Sequence, residues 1–210
     1  MGEETTLESG GAGQNSGVVD IYPLSRYVFD SKEAVPEKDD NLTDRVQRLQ
    51  SNYSRHGLRT CVGGVLLVEL FQEPHALLLQ VRNSFFKLPG GRLRPGEPDI
   101  QGLKRKLSSK LSLNLSGEDD DWQIGECLGT WWRSDLEGLP HPHPPPDNPK
   151  ECMKIFLVRL PRNRRFVVPR NLKLLAVPLS RIQESSEVYG PVISLIPALL
   201  SDFSFNRVRV

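Results

Sequence analysis

The stretch from Phe85 to Leu113 has charged residues at a spacing that could do chemistry. Carboxylates along one face of a helix in such a stretch could hold a divalent metal. It begins as an apolar strand, bends at a glycine pair and continues as an amphipathic helix. A hard cation such as Mg²⁺ needs several oxygen ligands. Glu97 is one candidate ligand, but Lys106 and Lys110 follow on the helix, and their ammonium groups repel a dication. The sequence therefore predicts a strand–loop–helix unit with no metal and no catalytic residue.

The same stretch resembles the Nudix box, whose frame is G-x5-E-x7-R-E-U-x-E-E-x-G-U. In register with that frame are Gly91, Glu97, Arg105, Leu107 and Leu113. The glutamates after the arginine and the last glycine are replaced, by Lys106, Ser109, Lys110 and Ser112. In Nudix hydrolases those glutamates hold metal against a pyrophosphate. The resemblance implies a Nudix-type α/β/α sandwich with a mixed sheet, whose catalytic centre has been lost.

The composition indicates one globular domain with short tails. The chain has 210 residues, of which 38% are hydrophobic and 25% charged. We expect residues 1–17 to be a disordered tail, 18–206 to form the domain with an N-terminal extension and a C-terminal helix, and 207–210 to be a second tail. The three cysteines form no CxxC pair, which indicates reduced thiols in a cytosolic or nuclear protein.

The charge is distributed unevenly. A formal net charge of +1 argues against a protein that binds polyanions generally. Between Cys152 and Gln183, however, there is no acidic residue, and the basic residues are Lys154, Arg159, Arg162, Arg164, Arg165, Arg170, Lys173 and Arg181. This segment is either a solvated hairpin face or a surface that contacts phosphates.

The hydrophobic periodicity predicts alternating strands and helices. Strands are expected over residues 59–70, 76–82, 122–132, 153–160, 166–168 and 174–179. A helix is expected over residues 41–56, ended by Gly57, and another from Ser194 to Asp202 with Pro197 in its first turn. The helix after Glu97 should bury one stripe, consisting of Ile100, Leu103, Leu107 and Leu111. Residues 18–29 read as an extended segment packed on the domain.

Short runs along the whole chain carry a second resemblance. They are YPL, FFKLPGG, PGE, GLKR, WWR, FLV, YGP and LL-x-x-F-x-F, in this order from Val19 to Asn206. Together they resemble the small Nudix-fold subunit of the metazoan and plant pre-mRNA cleavage factor Im. The resemblance implies a nuclear, catalytically inactive homodimer without a cofactor. It also implies binding to UGUA elements in single-stranded pre-mRNA, and to a larger subunit that carries an RNA-recognition motif.

The resemblance also implies a set of RNA-contacting side chains. Phe85 matches an aromatic residue that stacks on a base, a contact that contributes about 1–3 kcal/mol. Glu37 and Arg45 match the acidic and basic residues that read base edges. Ser84 matches a hydroxyl contact beside the aromatic pair.

Further contacts are implied at backbone positions and near the C-terminus. Phe86 and Leu88 match positions that offer backbone groups to base edges, and Tyr189-Gly190 matches a C-terminal contact. Adjacent strand residues point to opposite faces. We therefore expect only one of the two phenylalanines to stack on RNA, while the other packs against the protein, and the resemblance assigns the stacking to Phe85.

The chain departs from this family at several positions. Gly63 replaces a glutamate that helps to define the RNA site. His141 and His143 replace tyrosines of the proline-rich loop, and with no further ligands nearby they are not expected to bind metal. Two alternatives to RNA reading follow. The protein could be a dimeric scaffold with weakened RNA reading, or a hydrolase of nucleoside polyphosphates that uses Glu97 with Glu126.

Overall fold

The computed structural model describes residues 17–36, 41–82, 85–113, 121–142 and 147–208. Residues 1–16 of the expected N-terminal tail lie outside these ranges. At the other end, the last strand includes Arg207, one residue beyond the expected end of the domain. No helix in the described ranges is long and apolar enough to cross a membrane.

The described chain alternates between strands and helices. The strands are β1 (Val18–Ile21), β2 (Tyr27–Lys32), β3 (Arg59–Leu70), β4 (Glu73–Val81), β5 (Phe85–Lys87), β6 (Gly90–Arg92), β7 (Gln123–Arg133), β8 (Glu151–Arg159), β9 (Arg164–Pro169), β10 (Leu172–Pro178) and β11 (Ser204–Arg207). The helices are α1 (Leu42–His56), α2 (Asp99–Leu111), α3 (Leu179–Glu184), α4 (Ser186–Ser194) and α5 (Ile196–Leu199). Every strand predicted from the periodicity lies within or overlaps one of these elements.

A mixed sheet of seven strands forms the centre of the domain. Its order is β10-β4-β3-β8-β7, with β5 paired to β4 and β6 paired to β3. β3 and β8 run parallel, whereas the other pairs in this sheet are antiparallel. Two smaller parallel pairs, β1 with β11 and β2 with β9, attach the N-terminal segment to the domain.

The two faces of the sheet are covered by different helices. Along β3, Val62 and Leu66 pack in one cluster with α2, and the alternate residues Val65 and Leu67 pack in the other with α3–α5. This alternation follows from the two-residue period of a strand. The predicted α/β/α sandwich with a mixed sheet is therefore confirmed.

The first two helices agree closely with their sequence patterns. The Asn41 side chain accepts a hydrogen bond from the Asp44 N–H, and Gly57 ends α1 with φ 68°. In α2, a fully buried stripe forms from Leu103, Leu107 and Leu111. Ile100 was expected to belong to this stripe, but it lies in the first turn of the helix and is 48% exposed.

The prediction of one helix from Ser194 to Asp202 is wrong. Ser194 ends α4 instead of starting a helix, and its hydroxyl donates to the Gly190 carbonyl at 2.5 Å. Leu195 is a turn residue with φ −84° and ψ −11° that belongs to neither helix, and α5 ends at Leu199. The expected position of Pro197 in the first turn of a helix is confirmed. The residues around Pro197 do not indicate that the chain before Leu195 is already helical.

Candidate nucleic-acid interface

Phe85 and Phe86 lie on opposite faces of the short strand β5. Phe85 is 54% exposed, which is unusual for a large aromatic side chain in a strand. Phe86 packs into the protein, with its ring centroid 5.0 Å from that of Tyr189 and the two rings tilted. Phe86 therefore packs against the protein while Phe85 remains accessible, and an exposed aromatic face is the feature on which a nucleic-acid base can stack.

Tyr189 and Gly190 lie behind this aromatic pair, at a break inside α4. Tyr189 is buried, and Gly190 has φ 79° and ψ 168°, a conformation that favours glycine over residues with a Cβ atom. Pro191 then restarts the helix. The backbone is non-helical at Gly190, and the contact of Tyr189 with Phe86 places this break next to β5.

Leu88 and Gly63 lie next to each other where β5 leads into β6. Leu88 is buried, and a Cβ atom placed on Gly63 would be 3.3 Å from the Leu88 Cβ and 3.2 Å from the Met153 Cε. Gly63 itself pairs with Gly90 on one side and Ile155 on the other. A side chain at position 63 would therefore enter the site beside Leu88 and would press on its neighbours.

A cluster of three cations adjoins Phe85. Lys87 is on the same strand face as Phe85, two residues further on. Its pKa is lowered to about 8, chiefly because it is largely buried and also because Lys110 of α2 and Arg45 of α1 bring positive charge near it. Arg45, which was predicted as a base-reading residue, is thus close enough to Lys87 of β5 to act on it electrostatically. Sequence reasoning missed Lys87, although the two-residue period placed it on the face of Phe85.

Glu97 and Arg105, which match the Nudix box frame, form a tight ion pair. Both carboxylate oxygens of Glu97 accept hydrogen bonds from Arg105 at 2.6 Å, and one also accepts from the Arg94 N–H at 2.8 Å. The Arg105 hydrogen bonds lower the pKa of Glu97 to about 2, although its burial opposes the shift. Lys106 lies over Gly91, whose Cβ would be 3.2 Å from the Lys106 Cδ. Glu97 is therefore engaged by cationic and amide donors.

The proposed second carboxylate, Glu126, has a different partner. It forms an ion pair with Arg159 at 3.0 Å, and Arg159 also donates to the Val18 carbonyl. In the described part of the chain, no group of three or more His, Cys, Asp or Glu side chains could hold a metal ion. The structure thus gives Glu97 and Glu126 separate ion-pair partners.

Several cations of the basic segment after Cys152 contact other residues of the domain. Lys154 forms an ion pair with Asp99 at 2.5 Å, and Arg165 forms one with Asp30. The Arg164 guanidinium lies 3.5 Å from the centroid of the buried Trp122 ring. These contacts favour a structural role for the segment over a continuous phosphate-contacting surface.

Three residues singled out in the sequence, Glu37, Ser84 and His143, lie outside the described residues. His141 is described, and its backbone exchanges two hydrogen bonds with Trp132, at 2.8 and 2.9 Å. This bridge extends the pairing of β7 and fixes the start of the proline-rich loop beside it.

Comparison with known proteins agrees with this architecture. The NUDIX_2 family model, described as a nucleotide hydrolase, matches residues 17–203, and together with the sandwich it defines the chain as a Nudix-fold protein. The chain is 61% identical to the pre-mRNA cleavage factor Im 25 kDa subunit 1 of Arabidopsis thaliana, with 92% of this chain and 88% of that protein covered.

Two further relatives have similar coverage. Subunit 2 from the same plant is 51% identical, over 92% of this chain and 98% of that protein. The cleavage and polyadenylation specificity factor subunit 5 of Dictyostelium discoideum is 44% identical, over 90% of this chain and 98% of that protein. The chain belongs to the family of pre-mRNA cleavage factor Im 25 kDa subunits.

Proposed function

We propose that the protein is an RNA-binding subunit of the pre-mRNA 3′-end cleavage and polyadenylation machinery and that it recognises UGUA elements. The observation that carries the proposal is the exposed ring of Phe85, held on a strand whose other face is anchored by Phe86 on Tyr189. A rigid, accessible aromatic face next to cationic side chains suits an unpaired base and its phosphate. The names of the relatives support the assignment to 3′-end processing.

In this proposal the protein acts in the nucleus as a homodimer that holds a larger subunit with an RNA-recognition motif. It uses no cofactor and no metal, and it does not hydrolyse nucleotides. The reason is electrostatic: lysines occupy α2 where a hydrolase would need carboxylates, and Glu97 is neutralised by Arg105. Magnesium-dependent turnover of dinucleoside polyphosphates by highly purified protein would contradict this part of the proposal.

The test of RNA recognition is fluorescence anisotropy with a short UGUA RNA and with UGUG and UCUA controls at two salt concentrations. We expect selective binding to UGUA with a shallow salt dependence, because base contacts rather than phosphate contacts supply the selectivity. Equal binding to all three RNAs would overturn the proposal of UGUA recognition.

The scaffold alternative has one observation in its favour, the missing side chain at Gly63. The atoms nearest to the place of that side chain belong to Leu88 and Met153, and neither offers a polar group to a base. A pure scaffold would bind the larger subunit with undiminished affinity after substitution of Phe85, and the isolated protein would not distinguish UGUA from its point variants.

A further inference from the structure

A pocket of about 390 Å³ lies against α2 on the side of β6 and is strongly basic. Its lining consists of His56, Arg92, Leu93, Arg94, Pro95, Arg105 and Lys106. None of these described lining residues is acidic. Glu97 forms an ion pair with Arg105 and offsets its charge. The pocket therefore favours an anion.

This pocket is connected to the cation cluster beside Phe85. Lys106 and Lys110 are one turn apart on α2, which puts their side chains on one helix face about 6 Å apart along the axis. Lys110 acts electrostatically on Lys87, while Lys106 lies over Gly91. The two lysines thus span the distance between the strand that carries Phe85 and the pocket.

Helix α1 contributes two basic residues to the same line of cations. Arg45, in its first turn, acts on Lys87, and His56, its last residue, lines the pocket. These two residues are about 16 Å apart along the helix axis. α1 thus supplies Arg45 near Lys87 and His56 at the pocket, and the basic side chains follow one path from Phe85 to the pocket.

We propose that this path binds the sugar–phosphate backbone of the RNA that flanks the recognised element, and that the pocket on α2 receives its phosphates without a metal ion. The proposal rests on the proposed function, since it extends the same RNA beyond the base stacked on Phe85. Lysine and arginine side chains spaced along a groove bind successive phosphates of a single strand, whatever its sequence. The face that carries metal-binding carboxylates in a Nudix hydrolase here carries ammonium groups that replace the metal as partners of phosphate.

The experiment compares a minimal UGUA RNA with RNAs extended by a short uridine tract on the 5′ or the 3′ side. Binding of the full-length protein is measured by anisotropy over a range of salt concentrations. The test variant is Arg94→Gln/Lys106→Gln, which removes two cations that line the pocket and keeps part of each side-chain stem. The matched control is Arg162→Gln/Arg181→Gln, which removes two exposed charges from other parts of the domain.

We expect one extended RNA to bind several-fold more tightly than the minimal RNA to the wild type and to the control. The test variant should bind both RNAs with similar affinity, and its salt slope with the extended RNA should fall by about 0.7 for each phosphate that it no longer neutralises. It should still prefer UGUA over UCUA. A wild type without any preference for UGUA would contradict the proposed function instead.

The inference is overturned if the wild type prefers UGUA but binds neither extended RNA more tightly, or if the control is weakened as much as the test variant. Titration with inorganic tripolyphosphate gives a separate arm. If tripolyphosphate binding is weakened by the test variant while the extended RNA is bound no better than the minimal one, the pocket serves a free polyphosphate and the RNA path is wrong.

Discussion

The ring centroids of Phe86 and Tyr189 lie 5.0 Å apart, so strand β5 is joined to the broken helix α4 near the C-terminus. This contact links two segments that are far apart in the chain. It also decides the orientation of β5, because Phe86 pointing inward requires Phe85 to point outward. The accessible ring thus depends on a contact made by its neighbour.

The first prediction separates these two phenylalanines. Phe85→Ala should weaken UGUA binding by about 1–3 kcal/mol, roughly 5- to 150-fold, because it removes a stacking surface. It should change the free energy of unfolding by less than about 0.5 kcal/mol, since the ring is exposed. Phe86→Ala should instead lower the free energy of unfolding by about 2 kcal/mol or more. Anisotropy and urea denaturation measure the two effects, and equal losses of stability in both variants would contradict the assignment.

The second prediction concerns Lys87 and pH. An RNA phosphate near Lys87 favours the protonated amine, so binding should raise a pKa that is about 8 in the free protein. Affinity should then be constant below this value and fall as the pH rises through it. Lys87→Met should remove the fall while leaving the preference for UGUA, which anisotropy across that pH range would show. Identical pH profiles of the two proteins would argue against a phosphate at this position.

Stability should respond to Lys87 in a related way. Because the folded-state pKa lies below the ordinary value of 10.5, folding disfavours the charged form of this lysine. The stability that the neutral amine of Lys87 allows is complete above pH 10.5 and is lost as the pH falls through about 8. At neutral pH, Lys87→Met should therefore raise the melting temperature, and the difference should shrink as the pH rises. Thermal denaturation at several pH values measures it.

The third prediction concerns the ion pair of Glu97 and Arg105. Glu97 is only 12% exposed and holds two hydrogen bonds from Arg105, so Glu97→Gln should lower the free energy of unfolding by about 1.5–3 kcal/mol. The pKa of Glu97 is lowered to about 2 in the folded protein. The stabilisation is therefore complete above the ordinary pKa of 4.5 and is lost as the pH falls through about 2.

Glu126→Gln is the matched control, because Glu126 also pairs with an arginine but is 47% exposed. Its effect on the free energy of unfolding should be below about 1 kcal/mol. Urea denaturation of both variants near neutral pH is the measurement. A larger effect for the control would mean that burial does not decide the strength of these pairs.

The fourth prediction restores the missing glutamate. Gly63→Glu and Gly63→Ala both add a Cβ atom 3.2 Å from the flexible end of Met153 and 3.3 Å from Leu88, so both should lower the free energy of unfolding by about 1–3 kcal/mol. Only the glutamate adds an acceptor for base edges. We expect it to increase the affinity ratio of UGUA to UCUA relative to the alanine variant. An unchanged ratio would show that position 63 contributes shape alone.

Local patterns were sufficient for most of the fold. The hydrophobic periods of β3 and α2, the Asn41 cap and the Gly57 stop each depend on residues close together in the chain, and they predicted these elements correctly. The pattern failed at Ser194, since a hydroxyl that could cap a following helix instead bonds back to Gly190. Short-range chemistry allows both arrangements, and only packing of α4 against the sheet selects one.

The sequence by itself determined that the box has lost its carboxylates, because residue types at fixed spacing decide whether a hard cation can be bound. It also determined that one phenylalanine of the pair must face outward. The tertiary structure decided which cations interact, since Arg45, Lys87 and Lys110 belong to three different elements, and the first and last act on Lys87 only in the folded chain. Electrostatic interactions depend on distance through space, and spacing along the chain does not specify that distance between separate elements.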